Sequence, residues 1–100
     1  MNLDIEQLAK HAAEATELLK ELANEKRLMI CCCLGGQELS VSELNTHVPL
    51  SQSALSQHLA RLREAGLLAT RRDAQTIYYR LADERVLKLI TTLKSIFCPE

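Results

Sequence analysis

The sequence predicts a mainly α-helical domain with a two-stranded β-hairpin, in the element order α-α-α-α-β-β-α. Three observations support this prediction. Apolar residues recur at helical spacing in three of the five predicted helices, two short segments before the last helix have strand character, and glycine or proline separates several segments. The chain has 100 residues, 47% of them hydrophobic, which suits one domain with an aliphatic core. We therefore expect residues 1–100 to form a single domain.

Apolar spacing and capping residues define the first two helices. The first helix spans about Asp4 to Leu22, where small and aliphatic residues repeat at helical spacing between Glu and Lys. Asn24 is placed to cap a second helix from Glu25 to about Leu34. This helix is apolar nearly all round after its first turn and stops at Gly35-Gly36. We therefore expect it to lie in the core.

The third and fourth helices form a helix-turn-helix. Ser40 begins the third helix with the Ser-x-x-Glu spacing of a capping box, and Val48-Pro49-Leu50 ends it. The fourth helix occupies the stretch from Leu50 to Leu68 and is capped by Ser51. Its buried stripe is formed by Leu55, Leu59 and Leu62.

The exposed face of the fourth helix carries short hydrogen-bonding side chains instead of a run of Glu and Lys. Hydroxyl, amide and guanidinium groups suit base edges and phosphates, and the amides at the helix N-terminus also attract phosphate. This pattern is typical of a helix that reads DNA. Its candidate DNA contacts are Ser51, Gln52, Ser53, Ser56, Gln57, His58 and Arg61.

Two strands follow the fourth helix, from Leu67 to Asp73 and from Thr76 to Leu81. Their connection, Asp73-Ala74-Gln75, forms a hairpin tip. Beside a DNA-reading helix such a hairpin is a wing that reaches an adjacent groove or the phosphates, and the order of elements is that of a winged helix-turn-helix. The alternative is a solvated hairpin without a DNA contact. The candidate contacts of the wing are Arg71, Arg72 and Gln75.

The charge distribution favours nucleic acid although the net charge of the chain is -1. Residues 51–80 hold five arginines, one glutamate and one aspartate, a net charge of +3. The rest of the chain carries the compensating -4. The basic residues therefore concentrate in the segment that contains the candidate DNA contacts.

The last helix, from Asp83 to Phe97, has more apolar surface than one small domain can cover. One stripe holds Val86, Leu89, Leu93 and Ile96, and a second holds Leu87, Ile90 and Phe97. Together with the first helix, it predicts a homodimer. Two symmetry-related reading helices would then bind an inverted repeat with half-sites about 10 bp apart, or a multiple of that.

Composition predicts a cytoplasmic protein that has no membrane partner. No apolar run approaches the roughly 18 residues of a membrane span, and the first residues lack a basic start and an apolar core. Four cysteines are expected to be reduced thiols in that compartment. No motif indicates a cofactor, and neither Cys-x-x-Cys nor an acid–base constellation indicates an enzyme.

Four segments carry a family resemblance: Ala-Asn-Glu-Lys-Arg-Leu (23–28), Glu-Leu-Ser-Val-Ser-Glu-Leu (38–44), Leu-Ser-Gln-Ser-Ala-Leu-Ser-Gln-His-Leu (50–59) and Tyr-Tyr-Arg-Leu (78–81). They resemble the ArsR/SmtB family of bacterial transcriptional repressors over nearly the whole chain. The resemblance implies a dimeric winged helix that occupies operator DNA and releases it when an inducer, often a metal ion, binds.

Metal-sensing members of that family carry a cysteine pair in the third helix, where this chain has Ser40 and Ser42. A neutral hydroxyl is a poor replacement for a thiolate toward a soft metal ion. Other members use Asp and His on the final helix, but residues 83–100 contain no histidine. His11, His47 and His58 lie on separate predicted elements without ligand spacing. We therefore expect no metal site of either kind.

A narrower resemblance, to one branch of the family, implies a role for two of the cysteines. Arg-Leu-x-Ile-x-Cys at residues 27–32, the helix at 51–59 and the terminal Phe97-Cys98 pair resemble the HlyU/BigR-like branch of the family. That branch responds to oxidants or reactive sulfur species through a disulfide or polysulfide bridge. The resemblance implies that Cys32 and Cys98 are the sensing pair and that their bridging weakens operator binding.

Cys31 and Cys33 depart from that branch, whose sensing cysteine has aliphatic neighbours. Successive helical positions are turned by about 100°, so at most one of the three thiols points squarely at the final helix. We expect Cys32 to do so and its neighbours to be small buried hydrophobes. Which thiol reacts first stays open, although Lys94, one turn before Cys98, would favour the Cys98 thiolate.

Two other functions remain open at the level of sequence. One is a metal- or metalloid-responsive repressor that uses the Cys31–Cys33 cluster, with Cys98 as a further ligand. The other is a constitutive winged-helix protein-interaction module, for which Gln57 and Arg61 would be dispensable.

Overall fold

The structure is a computed structural model that describes residues 4–98. Its helices are α1 (Ile5–Leu22), α2 (Glu25–Cys33), α3 (Val41–His47), α4 (Gln52–Glu64) and α5 (Glu84–Phe97). Its strands are β1 (Leu39–Ser40), β2 (Leu68–Asp73) and β3 (Thr76–Leu81). The predicted winged helix-turn-helix is confirmed, with one strand more than the two that were predicted.

The additional strand, β1, ties the wing to the helix-turn-helix. The sheet is antiparallel in the order β1-β3-β2, and Leu39 of β1 pairs with Tyr79 of β3. Ser40 ends β1 and is also the residue that caps α3. A strand of two residues is too short to show an alternating pattern, so β1 could not be predicted from the sequence. The hairpin of β2 and β3 is therefore held at the start of α3.

Side-chain caps begin the helices as the sequence predicts. The Asn24 side chain accepts hydrogen bonds from two backbone amides of α2, and Ser51 accepts one from Ala54. Ser40 and Glu43 form the predicted capping box, in which each side chain accepts from the backbone amide of the other residue. These bonds satisfy amides that would otherwise lack a partner in the first turn of each helix.

Helix α4 is shorter than predicted, since the sequence suggested a helix over the whole stretch from Leu50 to Leu68. It ends at Glu64, and Leu68 already belongs to β2. Gly66 causes the change, because its φ of +81° is a left-handed conformation that glycine adopts without a steric penalty. The glycine turns the chain directly from the end of α4 into the wing.

The core lies where α2, α3, α4 and α5 meet. Leu55, Leu59 and Leu62 are all at most 1% exposed, which confirms the predicted buried stripe of α4. The other core residues that are at most 2% exposed are Ile30, Cys31, Leu34, Leu44, Val48, Leu67, Val86 and Ile90. Since α4 is anchored by three leucines, its polar face is fixed relative to the rest of the domain.

Arg27 is a buried cation that joins α2 to the end of α1. The residue is 6% exposed, and its Nε and Nη2 donate to the backbone oxygens of Glu21 (2.6 Å) and Lys20 (3.2 Å). A guanidinium suits this position because the last carbonyls of a helix are unpaired and carry partial negative charge.

Much of α1 and one face of α5 expose apolar side chains in the isolated chain. Ile5 is 73% exposed and Phe97 is 75% exposed. Further exposed apolar residues on these helices are Leu8, Leu19, Leu87 and Ile96. Exposed apolar surface of this kind marks a contact surface. Within residues 4–98, no helix combines the length and the apolar character that crossing a lipid bilayer requires.

Candidate DNA-binding surface and cysteine site

The first two turns of α4 present a polar surface. Ser51, Gln52, Ser53, Ser56 and Gln57 are exposed there, as the sequence analysis expected. His58 is only partly exposed and lies closer to the core. Residues at the N-terminal end of a reading helix are the ones that reach base edges in the major groove. Hydroxyl and amide groups thus occupy the positions from which sequence can be read.

Asn45 of α3 holds the turn that aims α4. Its Nδ2 donates to the backbone oxygens of Val48 (3.2 Å) and Leu50 (2.9 Å). These two bonds close the connection between α3 and α4 around Pro49. Asn45 was not among the predicted site residues. Its position shortly before a Val-Pro turn was the available signal, since Asn side chains bond to nearby backbone.

Arg61, a predicted DNA contact, is bound to α1 in the free protein. Its Nε lies 3.0 Å from the Glu21 carboxylate, and the two side chains are 55% and 22% exposed. Arg61 lies in the last turn of α4, away from the polar residues of the first two turns. A DNA phosphate at this position would compete with Glu21 for the guanidinium.

The arginines of the wing converge on one carboxylate. Arg71 Nε donates to both Glu38 oxygens at 3.0 and 3.3 Å, and Arg80 lies 3.8 Å from the same group. The hydrogen bond from Arg71, with the charges of both arginines, lowers the pKa of Glu38 below its ordinary value. The Arg71 guanidinium also stacks 4.7 Å from the centre of the Tyr78 ring.

The tip of the wing is a two-residue turn. Ala74 and Gln75 connect the paired residues Asp73 and Thr76, and Ala74 has a positive φ of 56°. Arg72 Nε donates to the Ala74 oxygen at 3.1 Å, which leaves Gln75 exposed at the tip. The predicted wing contacts therefore split into Arg71, which pairs with Tyr78 within the hairpin, and Arg72 with Gln75 at its end.

The three consecutive cysteines of α2 have different surroundings. Cys31 has no exposed surface, and burial raises the pKa of its thiol to about 12, with a further increase from Cys32 and a decrease from Arg27. Cys32 and Cys33 are partly exposed. Cys31 is thus a small core residue, in agreement with its expected role, whereas Cys33 is not fully buried.

Lys94 is hydrogen-bonded to the backbone of both Cys32 and Cys98. Its Nζ donates to the Cys32 oxygen at 3.1 Å, and its own backbone oxygen accepts from the Cys98 amide at 2.8 Å. Burial raises the pKa of Cys32, Lys94 opposes that increase, and Cys33 and Cys98 add to it. Burial also raises the pKa of Cys33, and Lys94 opposes that increase. Of the α2 thiols, Cys32 is therefore the one with an electrostatic interaction with Cys98.

The positions of the metal-binding cysteines of relatives have a structural role here. Ser40 caps α3, and its Oγ lies 3.2 Å from the Oγ of Ser42. Across residues 4–98, no three side chains among His, Cys, Asp and Glu are grouped so that they could hold a metal ion. Of the three consecutive cysteines, Cys31 lies in the core, whereas Cys32 and Cys33 are partly exposed.

Comparison with known proteins decides the family. Residues 24–70 match the family described as "Bacterial regulatory protein, arsR family". The chain is 48% identical over 96 residues to the transcriptional activator HlyU of Vibrio cholerae, a match that covers 96% of this chain and 89% of that protein. The chain belongs to the ArsR family. This ArsR-family chain is a DNA-binding transcriptional regulator, and its relatives are named regulators rather than enzymes.

Two solved structures resemble this ArsR-family regulator over almost its full length. Reduced HlyU from Vibrio cholerae has a TM-score of 0.88 at 50% identity, covering 92% of this chain and 97% of that chain. The transcriptional repressor BigR from Xylella fastidiosa has a TM-score of 0.88 at 40% identity, and the match covers 98% of this chain and 100% of that chain. The predicted HlyU/BigR-like branch is confirmed.

Proposed function

We propose that this regulator is a dimeric, thiol-responsive DNA-binding protein whose operator affinity falls when a disulfide or polysulfide bridge links Cys32 to Cys98. Its DNA partner is a double-stranded operator with an inverted repeat. Its inducer is a reactive sulfur species or another oxidant, and it acts in the cytoplasm. The solved structure of a relative described as reduced HlyU is in keeping with a redox-active branch of the family.

The contact between Lys94 and the two cysteines carries the proposal. The Lys94 side chain bonds to the backbone of Cys32, and the Lys94 backbone bonds to that of Cys98. The Lys94 side chain thus joins the last turn of α2, which contains Cys32, to the end of α5, which Cys98 follows. Both cysteines retain access to solvent, which a small oxidant needs.

The bridge acts on the relative position of two helices. Helix α2 packs against α4, the reading helix, while α5 carries exposed apolar residues such as Leu87 and Phe97. A covalent link between residues 32 and 98 therefore connects the reading helix to the proposed dimer contact. A small rotation there changes the spacing of two reading helices, which an inverted repeat holds at a fixed separation.

The chemistry balances with an organic persulfide as the only oxidant. Cys32 and R–S–SH exchange to give Cys32–S–SH and R–SH, and the Cys98 thiol then displaces hydrogen sulfide to leave a Cys32–S–S–Cys98 disulfide. If Cys98 is also persulfidated, loss of hydrogen sulfide leaves a trisulfide. Hydrogen peroxide gives the disulfide through a sulfenic acid, with release of two water molecules.

The experiment is an operator-binding assay under controlled thiol state. The operator is selected from random duplexes by the reduced protein, and affinity is measured by fluorescence anisotropy before and after treatment with an organic persulfide. Wild type and Cys33→Ser should lose affinity on treatment, whereas Cys32→Ser and Cys98→Ser should retain it. If either of the last two variants releases the operator as readily as wild type, the proposed pair is wrong.

A further inference from the structure

We propose that Glu38 is a positioning residue of the wing, whose carboxylate holds Arg71 in the orientation in which this arginine meets a DNA phosphate. Glu38 thus assists operator binding although it carries a negative charge itself. This inference rests on the proposed function, because it takes Arg71 as a DNA contact, but it does not depend on the cysteine bridge. Glu38 was not among the predicted DNA contacts.

Glu38 belongs to a cluster on one face of the three-stranded sheet. Arg71 pairs with Tyr78 across β2 and β3, and Arg80 is two residues from Tyr78 on the same strand. Glu38 directly precedes β1, and continuation of the register of β1 with β3 places it opposite Arg80. The other face of the sheet packs against the core through Leu39, Leu68, Tyr79 and Leu81. The cluster therefore lies on the outer face of the wing.

The Arg71 side chain reaches Glu38 across the middle strand of the sheet. The strand order is β1-β3-β2, so the strand that carries Arg71 is not a neighbour of the strand that Glu38 precedes. Arg71 Nε donates to both carboxylate oxygens at 3.0 and 3.3 Å, and its Nη2 lies 3.0 Å from one of them. The guanidinium also stacks 4.7 Å from the centre of the Tyr78 ring. An ion pair and a stacking contact thus fix the same side chain.

The contact with Glu38 leaves part of the Arg71 guanidinium for a phosphate. A guanidinium has five N–H donors, and this contact uses the edge formed by Nε and Nη2. Nη1 has no part in it, and the Arg71 side chain is 49% exposed. A side chain that is held in place before DNA arrives loses less rotamer entropy on binding. Glu38 therefore lowers the entropic cost of the Arg71 contact.

The charge of the cluster also suits DNA. Arg80 Nη1 lies 3.8 Å from the second Glu38 oxygen, so one carboxylate serves two arginines and the group keeps a net charge of +1. The Glu21–Arg61 pair differs, because one carboxylate there neutralises one guanidinium. Isolated exposed ion pairs contribute little, whereas a two-point arginine contact within a charge network orders its side chains. Glu38 therefore orders a cation without cancelling the positive charge of the wing.

The test is a double-mutant cycle of Glu38 and Arg71 in the reduced full-length protein. Operator affinity is measured by fluorescence anisotropy over a salt series. Glu38→Gln should lower affinity by about threefold to fivefold and leave the salt dependence unchanged, because the phosphate contact still forms but must be ordered on binding. Arg71→Gln should lower affinity and reduce the slope of log affinity against log salt by about 1. In the Arg71→Gln background, Glu38→Gln should no longer weaken binding.

Asp73→Asn is the matched control. It removes the same charge from an exposed position of the wing, where the carboxylate acts on Arg71 through its charge. It should leave affinity unchanged or raise it slightly, because loss of a negative charge favours DNA. Wild-type or higher affinity in Glu38→Gln would overturn the inference, since Glu38 would then compete with the phosphate.

An equal loss from Glu38→Gln with and without Arg71 would also overturn the inference, because Glu38 would then act through the sheet as a whole. Circular dichroism checks that each variant is folded. Wild-type affinity and salt dependence in Arg71→Gln would refute the wing contact itself, and the inference with it. Since the protein stays reduced throughout, none of these results bears on whether a cysteine bridge releases DNA.

Discussion

The Arg61 guanidinium of the reading helix is bound to the Glu21 carboxylate of α1 across 3.0 Å. The backbone oxygen of that same glutamate accepts a hydrogen bond from the buried Arg27 of α2. Glu21 thus contacts both the helix that carries three cysteines and the helix that we propose reads DNA. If Arg61 contacts a DNA phosphate as predicted, that phosphate competes with the Glu21 carboxylate for the guanidinium.

Glu21→Gln is expected to strengthen operator binding. Partly exposed ion pairs contribute about 0.2–1 kcal/mol, so removal of this competitor should raise affinity by up to about fivefold at low salt. Anisotropy titrations over a salt series measure the effect. Glu17→Gln removes the same charge one turn earlier on α1 and should have a smaller effect. Equal gains for the two variants would show a general charge effect and contradict a specific role of Arg61.

Gln57→Ala with Arg61→Ala is expected to abolish specific operator binding. Loss of a base contact costs about 1–3 kcal/mol and loss of a phosphate contact lowers the salt dependence. Arg63→Ala is the control, because Arg63 is an exposed arginine of α4 outside the predicted contacts. If the double variant binds the operator as wild type does, the winged face serves another partner, such as a protein.

Asn45→Asp is expected to weaken operator binding without removing a DNA contact. The substitution keeps the size of the side chain but removes the donor that bonds to Val48 and Leu50. Each hydrogen bond contributes about 0.5–1.5 kcal/mol to stability, so loss of both should lower the free energy of unfolding by about 1–3 kcal/mol. Urea denaturation and operator titration measure the two effects. If the variant has the wild-type free energy of unfolding and the wild-type operator affinity, the turn does not depend on Asn45.

Cys31 is expected to make the native state sensitive to alkaline pH. Its folded pKa of about 12 lies above the ordinary value of 9.0, so the stabilisation is complete below pH 9 and is lost as pH rises toward 12. Cys31→Val removes the titrating thiol. Urea unfolding from pH 7 to 11 should show a steeper loss of stability above pH 9 in wild type than in the variant. Parallel curves would contradict the burial of this thiol.

Leu8→Glu with Leu87→Glu is expected to yield monomers. Both leucines are more than a third exposed on the helices proposed to form the dimer, so a carboxylate there is tolerated by the free chain but is costly in an apolar interface. Sedimentation should show a lower mass together with weaker operator binding. A dimer of unchanged strength would place the contact elsewhere.

Local chemistry explains which features the sequence predicted. Ser40, Asn24 and Ser51 cap helices within three residues of their own positions, and the buried leucines of α4 follow helical spacing, so short windows contain the information. By contrast, the Glu21–Arg61 contact joins residues 40 apart, and the Lys94–Cys32 bond joins residues 62 apart. Such pairs depend on how the helices pack, which no local pattern encodes.

Control of DNA binding by a Cys32–Cys98 bridge is tested by identifying the covalent state of the protein as DNA is released. The reduced dimer is titrated with an organic persulfide on its operator, and at half release the protein is digested without reductant for mass spectrometry. If bridging causes release, a peptide pair joined between Cys32 and Cys98, with or without additional sulfur atoms, appears in proportion to the DNA released. Release of DNA while Cys32 and Cys98 remain unlinked would contradict it.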